Sequence, residues 1–280
     1  MIDLHSHTTA SDGQFAPAEL LLRAARAGVT RLAITDHDTV DGVEEATQTG
    51  QKLGVEVIAG IELSARLGHH EVHILGHFLD TSCPSLREHC VTFRRERRER
   101  MARMVEQLNA RSIPIRMEDV LERARGANLG RPHLARLLVE RGWCTDMQDA
   151  FSRYLGQGRP GYVDSQRLDA AGAIQLIHAA GGTATLAHPL SSKMDRHHIA
   201  RLRAAGMDGL EVFHPDHPRH SHARWLRISR ELDLIPTSGS DFHGESVAPR
   251  HELGDADMLP ARLEALRSRA AAWRSRLASV

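Results

Sequence analysis

Cysteine is scarce in this chain of 280 residues, and the three present, Cys83, Cys90 and Cys144, are odd in number and lack CxxC spacing. That argues against a disulfide framework or a thiolate zinc ribbon and suits a reducing compartment. Net charge is also absent, since 36 Lys and Arg balance 36 Asp and Glu. No global field therefore draws the protein to nucleic acid or to an acidic membrane surface, and a charged ligand must be recognised locally. No apolar run approaches the roughly 20 residues of a membrane span. The opening Met1-Ile2-Asp3-Leu4-His5 has no basic segment followed by an apolar core, so we expect no signal peptide, no membrane partner and a cytoplasmic location. What the chain has in excess is histidine: 19 residues, more than charge balance or a core requires.

The length allows one large barrel or two medium domains. Short apolar runs that read as buried strands fall at 2–5, 31–35, 55–61, 72–78, 183–187, 209–213 and 234–238, several of them followed by helical periodicity. Pro17 opens the first helix and Gly28 stops it, 43–53 ends at Gly54, and 169–180 ends at Gly181-Gly182, as helix start and stop chemistry requires. Further helices are expected at 196–205, 219–232 and 260–277. This alternation predicts an α/β fold with a mostly parallel sheet, closed or nearly closed. The eight residues Ser64 to Glu71 are too few for a crossover helix. Strands three and four should then be antiparallel neighbours, with Glu62 at the end of one near His73 at the start of the other. From 82 to 164 strand signals give way to helical ones, at 84–108, 117–124, 132–141 and 146–155. We read this stretch as a helical cap inserted between a first barrel part, 1–81, and a second, 165–280.

Side chains able to hold a metal fall at successive strand ends. His5 and His7, two apart, project to the same side; Asp12 follows in Ser11-Asp12-Gly13. The second strand ends in Thr35-Asp36-His37-Asp38 and the third in Gly60-Ile61-Glu62; His73 opens the fourth. His188 precedes Pro189 after the fifth, and Ser240-Asp241-Phe242-His243 follows the seventh. In barrel enzymes the carboxyl ends of strands build the active site. Taken singly each signal is weak: Asp12 beside glycine is commonly a turn residue, and Asp36 or Asp38 could cap the next helix, so both stay outside the ligand set. Glu62 is stronger, because a carboxylate ending an apolar strand needs a partner when buried. Imidazole and carboxylate without thiolate suit Mn²⁺, Fe²⁺ or Zn²⁺. Nine donors exceed the needs of one ion and imply two or three, the equipment of phosphate ester hydrolysis by a metal-activated hydroxide.

The ordered set His5-x-His7, Asp12, Thr35-Asp36-His37, Glu62, His73, His188-Pro189 and Asp241-x-His243 resembles the PHP (polymerase and histidinol phosphatase) superfamily over nearly the whole chain outside the cap. The resemblance implies a distorted barrel of seven βα units. It implies a first metal on His5, His7, Glu62 and Asp241, a second on Glu62, His73 and His188, and a third on Asp12, His37 and His243. Asn128-Leu129-Gly130-Arg131-Pro132-His133 in the cap is similar to one branch, which removes the 3′-phosphate from nucleoside 3′,5′-bisphosphates or degrades short RNA from its 5′ end. Mn²⁺ is the first choice of ion, with Fe²⁺ or Zn²⁺ as alternatives. The expected partner is a nucleotide with two phosphates, or short RNA, with no obligate protein partner; the reading from another class is a non-catalytic, metal-stabilised binding module.

A bisphosphate needs a second anion site away from the metals. Arg131, in a Gly-Arg-Pro turn at a helix start, suits it, with Asn128 and His133 beside it. Phe213 is a candidate for stacking on a base, and His214 or His217 for protonating the leaving group. The Arg-rich stretch 94–103 reads as a solvated helix face, since it lacks the interleaved aromatics of a nucleic-acid surface. His69, His70, His197, His198, His220 and His222 are expected on the surface.

Overall fold

The computed structural model describes residues 1–124, 128–164 and 167–279. The expected end of the insertion at 164 adjoins Ser165, which lies outside these residues, as do 125–127. The chain forms two compact units, one of Met1–His89 with Arg167–Val280 and one of Cys90–Gln166.

The first unit carries strands β1 (Ile2–Asp3), β2 (Arg31–Ile34), β3 (Glu56–Leu67), β4 (His70–His77), β5 (Leu168–Asp169), β6 (Thr183–Leu186), β7 (Gly209–Phe213) and β8 (Ile235–Ser238). Its helices include α1 (Pro17–Arg26), α2 (Val43–Leu53), α7 (Ala170–Ala179), α8 (Arg196–Ala204), α9 (Arg219–Glu231) and α10 (Pro260–Leu277). Helix α3 (Pro84–Asn109) leads into the second unit, which holds α4 (Met117–Ala124), α5 (Arg131–Glu140) and α6 (Met147–Ala150).

Seven strands follow the order β1-β2-β3-β4-β6-β7-β8. The Leu4 N–H donates to the Ser238 carbonyl at 3.2 Å, which brings β1 back beside β8. All neighbours are parallel except β4, antiparallel to both β3 and β6. This is the barrel with one reversed strand that the short third connection predicted.

Several boundaries differ from expectation. β3 continues through Glu62 to Leu67, and only Gly68 and His69 separate it from β4. Leu63, Ala65 and Leu67 keep an apolar alternation that extends the hairpin. Glu62 therefore sits within a strand, paired with Leu75, while His73 pairs with Ser64. β1 ends at Asp3, so His5 and His7 follow it. β5 was not anticipated; it is two residues long and pairs with β3. Residues 151–155 form a π-turn where α-helix was expected to continue.

Helix α1 buries Leu20, Leu21 and Ala24. Helix α10 packs Leu263 and Leu266 against Ile2, Leu4, Ile58 and Met258. Each such leucine contributes roughly 2 kcal/mol of apolar transfer energy. The second unit has a core of its own around Met104, Leu108, Val120, Leu134 and Leu138. Among the described residues no helix is long and apolar enough to cross a membrane.

His77, the last residue of β4, is fully enclosed and its Nε2–H donates to the Leu4 carbonyl at 2.9 Å. Burial disfavours the charged ring and pushes its pKa down from 6.5 to about 4. The unfolded chain takes up this proton at higher pH than the folded one. Stability from this group is thus intact above 6.5 and lost as pH falls toward about 4, by roughly 3 kcal/mol in total. In His77→Gln that contribution to the slope should vanish. Urea unfolding of metal-free protein should show the wild-type and variant stabilities converging as pH is lowered through this window.

Candidate metal centre

Glu62 lies inside the barrel with no solvent exposure. Its Oε2 is 3.3 Å from His5 Nε2, 3.2 Å from His7 Nε2 and 3.0 Å from His37 Nδ1. Its Oε1 is 2.9 Å from His73 Nδ1 and 3.3 Å from His188 Nε2. Asp241 Oδ1 is 3.2 Å from the Nε2 atoms of both His5 and His7 and 3.5 Å from His243 Nδ1. Asp12 Oδ1 approaches His243 Nε2 at 3.4 Å, His7 Nδ1 at 3.9 Å and His37 Nε2 at 4.0 Å. All nine sequence-derived candidates thus meet in one place.

The backbone that presents them is bent for the purpose. Asp241 has φ 51° and His188 has φ 25°, left-handed conformations that cost about 1–3 kcal/mol each and persist where surrounding structure enforces them. Gly239 is dictated by crowding: a Cβ there would lie 2.3 Å from His5 Cβ and 2.8 Å from Glu211 Oε1. Asp36 and Asp38 turn out not to be helix caps. Asp36 accepts from the Thr8 N–H, the Thr8 hydroxyl and the Ser11 hydroxyl at 2.6–2.7 Å. Asp38 accepts from the Ser64 N–H and hydroxyl at 2.9 and 2.8 Å.

The donors fit divalent cations. Nitrogen and oxygen ligands at about 2.0–2.2 Å around one ion lie about 3 to 3.5 Å from one another, which is the spacing of the histidines around Glu62 and of His5, His7 and His243 around Asp241; around Asp12 it widens to 3.4–4.0 Å. Their lone pairs then face a common point instead of each other. Accordingly His5 Nε2, both ring nitrogens of His7, Glu62 Oε2 and His73 Nδ1 are buried without a hydrogen-bond partner of acceptable geometry. Among the described residues four donor groups converge closely enough to share an ion: His5, His7, Glu62 and Asp241; His7, Asp12, His37 and His243; His37, Glu62 and His73; and His214, Asp241 and His251. His188 joins through Glu62.

Neighbouring groups orient the rings. His5 Nδ1–H donates to Glu211 Oε1 at 3.0 Å, which frees Nε2 for a cation. The other Glu211 oxygen accepts the His188 N–H at 2.7 Å. The outer nitrogen of His188 meets the Ser191 hydroxyl and that of His243 donates to the Asp241 carbonyl, both at 2.9 Å. The sequence places Glu211 in the segment that ends the sixth expected strand but gives it no role, because its partner His5 lies 206 positions away.

Without a cation the site must neutralise its carboxylates with protons. Burial opposes charge on His5 and His7, yet Asp241 and Glu62 outweigh it, with Glu211 adding at His5. His5 is held well above the ordinary imidazole value and His7 is raised to about 10. Conversely, although burial opposes ionisation, the surrounding imidazoles hold Glu62 and Asp241 well below the usual carboxylate range. Burial dominates at His37, pushed down to about 3. Cation binding must therefore displace protons and weaken as pH falls.

Asp241 also draws in His214, whose Nε2 lies 3.5 Å from Oδ2, and His251, at 4.0 Å. The Asp216 N–H donates to His214 Nδ1 at 3.1 Å, so a neutral His214 carries its proton on Nε2. His251 donates from Nδ1 to the Asp241 carbonyl at 3.0 Å; it sits in a loop whose sequence has no pattern to mark it. His217 donates from Nδ1 to the Val212 carbonyl at 2.9 Å, and burial lowers its pKa. Phe213 is half-buried, with the His222 ring edge-on at 5.1 Å and the Arg262 guanidinium 5.2 Å from its centre.

The remaining candidates belong to the second unit. Arg131 starts α5, with its guanidinium 5.6 Å from the Phe151 ring centre and 5.7 Å from that of Tyr162. His133 is buried and its Nδ1 accepts the Gly130 N–H at 3.1 Å, which leaves the proton on Nε2. Asn128 Oδ1 accepts from Arg94 Nε at 3.2 Å. The stretch 94–103 is mostly a solvated face, with Arg94, Arg95, Arg98, Glu99 and Arg103 exposed; Arg100 is the exception, buried and donating to the Val163 carbonyl at 2.7 Å. Aromatics are present as well, Phe93 below Arg97 at 4.9 Å and Tyr162 below Arg100 at 5.9 Å. Tyr162 comes from elsewhere in the chain, which is why the local sequence did not reveal it.

Barrel and site together define a metal-dependent phosphoesterase, a hydrolase of phosphate esters. The chain belongs to the PHP domain family, whose domain matches residues 3–131. It is 38% identical over 271 residues to the 5′-3′ exoribonuclease Rnm of Salmonella typhimurium, covering 94% of this chain and 91% of that protein. It is 35% identical over 264 residues to the 3′,5′-nucleoside bisphosphate phosphatase of Chromobacterium violaceum, covering 92% of each. A solved structure from Bifidobacterium adolescentis, described as a candidate metal-dependent phosphoesterase, superimposes with a TM-score of 0.88 at 31% identity over 95% of each chain.

Replacement of Glu211 by Gln removes the charge that orients His5 while keeping the shape. Metal titration should show affinity falling about 10- to 100-fold, with the circular dichroism spectrum unchanged.

Proposed function

We propose that this protein removes the 3′-phosphate from nucleoside 3′,5′-bisphosphates, converting pAp to AMP. The observation that carries this reading is the set of three donor groups sharing His7, His37 and Glu62, together with the similarity to the Chromobacterium violaceum phosphatase. In this reading His5, His7, Glu62 and Asp241 hold one ion, Glu62, His73 and His188 a second, and Asp12, His37 and His243 a third. Imidazole and carboxylate donors without thiolate suit Mn²⁺, Fe²⁺ or Zn²⁺, of which we take Mn²⁺ as the first to test, and the three free cysteines suit the cytoplasm. When bound, the ions supply Lewis acidity toward phosphoryl oxygens and lower the pKa of water near neutrality.

The chain's own residues do the rest. Glu211 fixes the His5 ring, and the Asp216 N–H fixes His214 with its proton on Nε2. That proton is available to the departing ribose oxygen, so we assign the general acid to His214. His217, whose lowered pKa and Nδ1 bond to Val212 leave Nε2 without a proton, is the poorer choice. Arg131, backed by His133 and Asn128, takes the 5′-phosphate as a charge-assisted, paired hydrogen bond.

A second reading, 5′-to-3′ hydrolysis of short RNA, is favoured by the helical unit. Guanidinium–aromatic pairs at Arg97, Arg100 and Arg131 are the chemistry that holds single strands through base stacking and backbone charge. A pocket of about 560 Å³ lies along this face, lined by Phe93, Arg97, Arg100 and Arg103 among others.

Phosphate release from pAp with Mn²⁺ should be rapid and should stop with a chelator. Asp241→Asn and His7→Ala should leave no turnover above the chelated control. Arg131→Ala should raise KM about 10- to 100-fold with kcat largely kept, the worth of one hydrogen bond to a charged group. Inert pAp beside digestion of a 5′-phosphorylated RNA would transfer the assignment to the second reading.

A further inference from the structure

The barrel interior carries polar groups that the metal centre does not use. Glu62 of β3 points inward, so its partner Leu75 on β4 and, two residues on, His77 do the same. Across the β4–β6 pairing these two face Thr185 and Thr183. Farther round, Glu211 of β7, which reaches His5 inside the barrel, pairs with Thr237 of β8. His77, Thr183, Thr185 and Thr237 are at most 1% exposed. Ile2, Ile58 and Ile235, near the amino ends of their strands, pack with Leu263 and Leu266 of α10 as an apolar floor.

Four atoms of this layer are buried without a hydrogen-bond partner among the described residues: His77 Nδ1 and the hydroxyl oxygens of Thr183, Thr185 and Thr237. Folded proteins satisfy nearly all such groups, with ordered water where no protein group is in reach. The chemistry of the four is complementary. His77 donates from Nε2 to the Leu4 carbonyl, and burial keeps the ring neutral down to about pH 4, so Nδ1 presents a lone pair. Each threonine supplies an O–H and two lone pairs. His77 and Thr183 stand directly opposite across an antiparallel pair, which sets their Cβ atoms about 4.5–5.5 Å apart. They make no direct bond, and one water, about 2.8 Å from each of two polar atoms, spans a gap of that size. Gly209 puts no side chain between Thr185 and β8. A Cβ there would lie 2.5 Å from Thr185 Oγ1, so that hydroxyl leans over β7 toward the strand of Thr237.

We propose that the barrel binds ordered water in this layer, between the apolar floor and the metal centre. One molecule donates to His77 Nδ1 and accepts from the Thr183 hydroxyl, and the hydration continues to the Thr185 and Thr237 hydroxyls. It joins β4, β6 and β8 through the interior, beside the Glu211 carboxylate that orients His5. This hydration belongs to the barrel and holds whichever phosphate ester the centre cleaves.

The test is thermal unfolding of the metal-loaded wild type, Thr183→Val, Thr185→Val and Thr237→Val, with a high-resolution crystal structure of the wild type. Valine keeps the shape of threonine and removes the hydroxyl, so the sign of the shift decides. Where the hydroxyl binds water, its loss leaves a buried water short of a partner, and each variant should melt about 2–4 °C lower. Where the hydroxyl has no partner, valine removes a buried unsatisfied group and the midpoint should rise. The crystal structure should show a water within hydrogen-bond distance of both His77 Nδ1 and Thr183 Oγ1. A midpoint at or above the wild type in any of the three variants, or a dry interior in the crystal, would overturn the hydration site.

Discussion

The Glu62 carboxylate, enclosed in the barrel and ringed by His5, His7, His37, His73 and His188, is the constraint on which the rest of this structure depends. A buried carboxylate surrounded only by neutral rings would be strongly destabilising, and one surrounded by protonated rings would carry several desolvated charges. Either way the cluster is costly as a purely structural element. Divalent cations resolve the conflict, because they neutralise the carboxylates and accept the imidazole lone pairs together.

The reversed strand is what makes this possible. Because β4 runs antiparallel beside β3, Glu62 and His73 approach from adjacent strands while both point into the barrel. The remaining donors arrive on the segments after β1, β2, β6 and β8. Gly239 leaves room for His5 and Glu211 to meet, and the left-handed Asp241 and His188 turn their side chains inward. Strain at these two residues is tolerated because the surrounding hydrogen bonds determine their positions, as at other functional sites.

Much of this was legible in the sequence. The nine donors stood out because they recur at the ends of apolar runs, and His-x-His and Asp-x-His spacing puts pairs on one side of the chain. The antiparallel pair followed from the shortness of the link after Glu62. Other features could not be read because they depend on contacts between distant segments. Glu211 acts through His5, some 206 positions away. Tyr162 reaches Arg100 only once the helical unit has folded, and β5 has only two residues and exists by pairing with β3. The extension of β3 past Glu62 was in principle visible in Leu63, Ala65 and Leu67, but the interleaved Ser64 and Arg66 masked it.

Metal stoichiometry tests the central claim most directly. The protein would be stripped with a chelator, reloaded with Mn²⁺, freed of excess and analysed for metal per chain, beside a Glu62→Gln variant. A shared cluster requires two to three Mn²⁺ per wild-type chain and at most one in the variant, since the bridging carboxylate serves more than one ion. A single Mn²⁺ per chain, or a content that Glu62→Gln leaves unchanged, would contradict it.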